Sequence, residues 1–150
     1  MDMHRLICSF AIALAGIAFS SGALAQSCPG TLVGLKPIKN PSGQKLAELQ
    51  LYYDAASGKN CARTMHSSAT WGQSRHTEVL LQSCKRENFH ASNGCSKPLL
   101  YDEDWGDRKY QAGPVLVAGA KRCVFVQGSI VVPVSGKPKA YRAEISGHCG

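Results

Sequence analysis

The stretch from Gly113 to Ser146, GPVLVAGAKRCVFVQGSIVVPVSGKPKAYRAEIS, decides the fold. Gly113-Pro114 leads into the apolar run Val115 to Ala118, Gly119-Ala120-Lys121 turns, and Arg122 to Gln127 returns. Gly128 reads as a bend into Ser129 to Val134, Ser135-Gly136-Lys137-Pro138 as a further turn, and Lys139 to Ser146 as an alternating last strand. Short β-branched runs punctuated by glycine and proline every few residues are the pattern of β-structure, because a helix needs a longer periodic stretch free of such breakers.

The rest of the chain agrees when read outward from there. Leu46 to Asp54 alternates, with Leu49, Leu51 and Tyr53 on one face and Glu48, Gln50 and Tyr52 on the other, the period-2 pattern of a half-buried strand. Ala55 to Asn60 is a hairpin connection to a strand from Cys61 to His66, and Thr77 to Cys84 supplies another strand. Thr31 to Val33 is a short strand, Pro37 to Gly43 a polar turn, and Ser67 to Ser74 a loop around Trp71. Tyr101 to Tyr110 is acidic and aromatic, too rich in turn formers for a helix, with room for a short strand at most. The expectation is an all-β chain, a single small disulfide-stapled β-sandwich or barrel of about seven short strands.

The N-terminus carries an export signal. Arg5 precedes an uncharged run from Leu6 to Phe19, followed by the small-x-small pattern Ala23-Leu24-Ala25, so residues 1–25 are expected to be removed and residues 26–150 to form one secreted domain, extracellular or periplasmic. The run is shorter than the about 20 apolar residues a spanning helix needs, and no later segment approaches that length, so no membrane span is expected. Of seven cysteines, Cys8 lies in the signal. The six that remain, Cys28, Cys61, Cys84, Cys95, Cys123 and Cys149, are an even set behind an export signal and imply a disulfide framework. Cys84 precedes the polar segment Lys85 to Pro98 and Cys95 lies near its end, so a local bridge would close most of that loop.

The formal net charge is +7. A basic secreted domain is drawn to anionic surfaces, so the expected partner is an anionic envelope polymer or another protein. The densest basic spots are Lys85-Arg86 and Lys121-Arg122, with Lys137, Lys139 and Arg142 near the C-terminus; none matches a nucleic-acid-binding pattern. Among the aromatics Trp71, Trp105, Tyr101, Tyr110 and Tyr141, Trp105 in its acidic surroundings is the best candidate for an exposed contact, so Trp105, Lys85 and Arg86 form the expected binding set.

Catalytic motifs are sparse. There is no Gly-x-Ser-x-Gly elbow and no phosphate-cradling glycine loop. A small basic hydrolase of the nuclease kind is the alternative reading, with His66, His76, Glu78 and Lys85 as its acid-base groups. A secreted inhibitor or effector that inserts the Lys85 to Pro98 loop into a partner protein is another. Cys84, His90 and Cys95 match no zinc spacing, and Asp102, Glu103 and Asp104, alternating in direction along a strand, suit a solvated acidic loop better than calcium; no metal or other cofactor is expected.

Three stretches together carry a family resemblance: Leu51 to Cys61, Tyr110 to Val117, and Arg122 to Ile130. With their Ser-Gly-Lys-Asn-Cys turn, Ala-Gly-Pro-Val run and Cys-Val-x-x-x-Gly-x-Ile strand, the chain resembles the secreted spore-associated protein A group. The matched residues cover about a fifth of the chain, and the longer, more charged middle from Arg75 to Asp107 departs from the pattern. The resemblance implies Cys61–Cys123, Cys28–Cys149 and Cys84–Cys95, one of the fifteen pairings six cysteines allow. It implies no catalytic residues. Read physically, its turn motif is a fold staple, with Gly58 supplying a tight turn and Cys61 tying the hairpin to the rest of the chain.

Overall fold

In β2 (Lys45–Asp54) Leu49 and Leu51 are fully buried while Glu48 and Tyr52 are only partly so, the alternation that a half-buried strand imposes. Gly58, at a φ of 65°, closes the turn by donating its N–H to the Asp54 carbonyl at 2.8 Å, and β3 (Lys59–His66) returns antiparallel with Lys59 opposite Asp54. The computed structural model describes residues 27–150, so the leader expected at residues 1–25 lies outside the described residues.

The remaining strands are β1 (Thr31–Lys39), β4 (Arg75–Cys84), β5 (Phe89–His90), β6 (Gly94–Cys95), β7 (Leu100–Arg108), β8 (Gln111–Ala118), β9 (Cys123–Val134) and β10 (Lys137–Gly147). They form two four-stranded sheets, β1-β2-β3-β8 and β10-β9-β4-β7, and a small β5-β6 ribbon. Leu49, Leu51, Val79, Leu81, Val115, Val124 and Val126 fill the space between the sheets. Ile38, Leu46, Ala47 and Ile130 make a second cluster, with Tyr141 packed against it.

The fold is all-β as expected, with ten strands where about seven were read. Pro37 to Lys39 belongs to β1 rather than to a turn, because β1 is an edge strand where a missing N–H leaves no ladder bond unmade. Strand β9 passes unbroken through Gly128, and β7 runs for nine residues where a short strand at most was expected.

Strand β7 exists because its acidic residues close one seam of the sandwich. Asp104 Oδ2 accepts the Gly113 N–H at 2.7 Å and Asp102 Oδ2 accepts the Leu116 N–H at 2.9 Å, so two carboxylates on the edge of the second sheet satisfy backbone donors of β8, the edge of the first. Arg108 Nη2 donates to Asp104 Oδ1 at 2.5 Å. The acidic run expected to be a solvated loop is therefore a seam between the sheets. At the other seam Gly34 faces Ile145 across β1 and β10; a Cβ on Gly34 would lie 3.1 Å from the Ile145 methyl.

Burial alone would raise the Asp104 pKa, but the hydrogen bonds from Arg108 and the Gly113 N–H outweigh it and hold the carboxyl below its ordinary value. A carboxyl depressed on folding contributes stability that is complete above its unfolded value, about 3.9, and lost as pH falls through its folded one. Asp104→Asn is therefore expected to cost about 1–2 kcal/mol in urea unfolding at neutral pH, toward the low end because the pair is part-exposed. The difference from wild type should vanish once Asp104 is protonated; a gap of the same size in strong acid would contradict this role.

The disulfides are Cys28–Cys61, Cys84–Cys95 and Cys123–Cys149. The local Cys84–Cys95 bridge is the one expected; the other two correct the pairing that the family resemblance implied. The correction follows from strand register. Gly147 on β10 pairs with Val124 on β9, which carries the next residues of the chain, His148 and Cys149, beside Cys123. Likewise Thr31 pairs with Tyr53, and Tyr52 with Cys61, so Cys28 at the foot of β1 reaches Cys61 across one strand.

Candidate ligand-binding face

Alternate residues of β7 project from the outer face of the second sheet: Tyr101, Glu103, Trp105 and Asp107, all exposed. Trp105 is 62% and Tyr101 67% exposed, a large apolar area to leave in water on a regular strand. Four residues apart on one face, they stand about 13–14 Å from each other at the strand rise. A groove of about 290 Å³ lies between Trp105, Glu103, Glu78, Leu80 and Gln127.

The polar groups beside Trp105 are held in place. Glu78 is its cross-strand partner on β4, and the Glu78 carboxylate accepts the Ser129 hydroxyl from β9 at 2.7 Å. Its other oxygen lies 3.2 Å from His76 Nε2, and the His76 ring stands 6.1 Å from the Trp105 ring, tilted by 43°. These contacts fix the rotamers around the indole and leave its face open.

At the far end of the same face, part of the segment Lys85 to Pro98, which the inhibitor reading would insert into a partner, packs on the sheet. Beyond a turn of 3-10 helix (Arg86–Asn88), the β5-β6 ribbon covers Phe125, so closely that a Cβ on Gly94 would meet the ring at 2.5 Å. Ser146 donates its hydroxyl to the Ala91 carbonyl at 3.1 Å, adding a second tether.

The structure separates the residues expected to act together. Lys85 and Arg86 are exposed beside the Cys84–Cys95 bridge, with Lys85 Nζ 3.8 Å from Glu87. Lys85 follows Glu78 by seven residues, roughly 20 Å along the strand direction, so the basic pair and Trp105 do not share one site. The aromatics also divide: Trp71 packs on Tyr110 with ring centroids 4.9 Å apart, while Tyr141 belongs to the second core cluster.

His66 is an interior group. Its Nε2 lies 2.8 Å from the Thr77 hydroxyl and its Nδ1 3.1 Å from the Thr70 carbonyl. Burial pushes its pKa below the ordinary histidine value, the Thr70 carbonyl working weakly the other way. His76 points from the opposite side of β4, so the sheet stands between the two histidines and they cannot flank one substrate. Among the described residues no group of three or more His, Cys, Asp or Glu side chains is placed to hold a metal ion.

What the sequence reading missed is that Tyr101 and Trp105 form one row. The alternation is present in the sequence, but the residues between them are carboxylates rather than the apolar side chains that mark a buried face. Comparison with family models, curated proteins and solved structures finds no match for this chain.

Proposed function

We propose that the chain is a non-catalytic extracytoplasmic binding protein that contacts an extended saccharide through Trp105 and Tyr101. The observation that carries the reading is the exposed Trp105 indole on a rigid strand, in line with Tyr101 and flanked by the hydrogen-bonding groups of Glu78 and Gln127. Sugar rings present apolar C–H faces ringed by hydroxyls, and a flat aromatic surface beside carboxylate and amide groups complements both.

Three disulfides fit an oxidising compartment, and no helix among the described residues is long and apolar enough to cross a membrane. An envelope or extracellular surface, the setting implied by the resemblance to the spore-associated group, is where such a protein would meet polysaccharide. The face carries Glu78, Glu103 and Asp107, so it suits a neutral or amino-bearing chain better than an anionic one.

The test is retention of the purified protein on insoluble chitin, β-glucan and peptidoglycan. Wild type should bind at least one. Trp105→Ala should weaken that binding about tenfold, or about 1.4 kcal/mol, with unchanged thermal unfolding. Trp71→Ala should bind as wild type does. Failure of wild type on all three supports, or an equal loss from Trp71→Ala, would remove the reading.

A further inference from the structure

The positive charge of this protein is gathered by the fold. Strand β10 is the edge of the second sheet farthest from β7, and it lies against β1, the edge of the first. Gly34 faces Ile145, and Lys36 lines a cleft with Arg142 and Ala143, so the two strands run antiparallel along the seam. That direction brings Lys36 and Lys39 of β1 alongside Arg142, Lys139 and Lys137 of β10, residues about a hundred positions away in the chain.

All five cations are exposed, and no ion pair among the described residues joins any of them. Arg142 and Lys137 are five residues apart on β10, about 17 Å along the edge, and they project to opposite faces: Arg142 pairs with Ser129 on the outer face, Lys139 and Lys137 with Val132 and Val134 on the inner. Glu144 is the carboxylate beside it, lining with Lys36 and Arg142 a cleft of about 470 Å³. By contrast β7, three strands away and about 14 Å across the sheet, carries Asp102, Glu103, Asp104 and Asp107. The molecule has one acidic edge and one basic edge.

We propose that the β1–β10 edge is a docking strip for a polyanionic glycan. Lys36 and Arg142 meet at the polar cleft, and Lys139 and Lys137 continue the same edge from the inner side of β10; unpaired cations on both sides of one edge complement a chain carrying regularly repeated negative charges. Proteins that grip single-stranded nucleic acid add aromatic platforms for the bases. The strip has only Tyr141, which packs against the second core cluster with the Lys139 ammonium 5.6 Å from its ring centroid. It offers charge without a stacking surface, which selects a polyanion without bases. The site is separate from the Trp105 face and does not depend on how that face is used.

The experiment measures binding of the mature protein to polygalacturonate, and in parallel to single-stranded DNA, across a salt series. Wild type should bind polygalacturonate more tightly than DNA. Lys36→Gln with Arg142→Gln should weaken polygalacturonate binding about tenfold or more at low salt, and reduce the slope of log affinity against log salt by roughly 1.5–2, one counterion step per lost contact. Lys85→Gln with Arg86→Gln removes the same net charge elsewhere and should leave both quantities as in wild type. Trp105→Ala should do the same, which separates this site from the saccharide face. Equal losses in the two double variants would reduce the effect to net charge and overturn the proposal, as would tighter binding of DNA or no binding of polygalacturonate by wild type.

Discussion

Replacing Gly128 by valine should lower the thermal midpoint by on the order of 10 °C, equivalent to about 3 kcal/mol in a domain of this size. Gly128 sits in the middle of β9, opposite Val79 on β4 and Ala143 on β10. A Cβ there would lie 2.4 Å from Thr64 Oγ1 and 2.9 Å from Leu49 Cδ1. Neither can retreat: both residues are fully buried, and the Thr64 hydroxyl donates to the Glu78 carbonyl at 2.8 Å, a bond that crosses from the first sheet to the second. The glycine marks a close approach of the two sheets, not a bend. The milder pair Gly128→Ala and Thr64→Ala tests the cause. Removing Oγ1 should lower the cost of the added methyl by about 1 kcal/mol in a double-mutant cycle. Additive effects, or an unchanged midpoint for Gly128→Val, would show that the sheets separate freely there.

Removing the Cys28–Cys61 bridge by the double substitution Cys28→Ala and Cys61→Ala should cost about 4 kcal/mol. Its partners are 33 residues apart, against 26 for Cys123–Cys149 and 11 for Cys84–Cys95. Chain entropy then gives losses of about 3.7, 3.5 and 2.8 kcal/mol, the first two nearly equal and the shortest loop the smallest, since a longer loop restricts the unfolded chain more. Each figure is a large fraction of the 5–15 kcal/mol typical of a whole domain. Urea unfolding of the three double-alanine variants measures the order, and non-reducing peptide mapping identifies the bridges. A Cys61–Cys123 peptide would contradict the structure, in which Cys61 bonds Cys28 and Cys123 bonds Cys149.

The legible parts of this fold are those written in neighbouring residues. Leu49 and Leu51 alternate with Glu48 and Gln50, and the β2–β3 hairpin follows from that alternation together with Gly58. The illegible parts invert a usual signal. In β7 the side chains toward the seam are Asp102 and Asp104, whose carboxylates bond β8 amides, so the strand lacks the apolar stripe by which strands are recognised. Gly128 read as a bend because a glycine inside a strand marks either a bend or a close approach, and only the opposite sheet distinguishes them. Of the candidate site, Trp105 was legible as an exposed aromatic. Its alignment with Tyr101, and its separation from Lys85 and Arg86, were not.

By itself the sequence determined the all-β class, the hairpin at Gly58 and the local Cys84–Cys95 bridge, because each depends on side-chain alternation, turn chemistry or a short loop. Only the tertiary structure decided the two long-range disulfides, the carboxylate seam and the division into an acidic aromatic face and a basic edge. These depend on which strands become neighbours. Lys36 and Arg142 share a cleft through the packing of β1 on β10, and no feature local to either residue encodes that meeting.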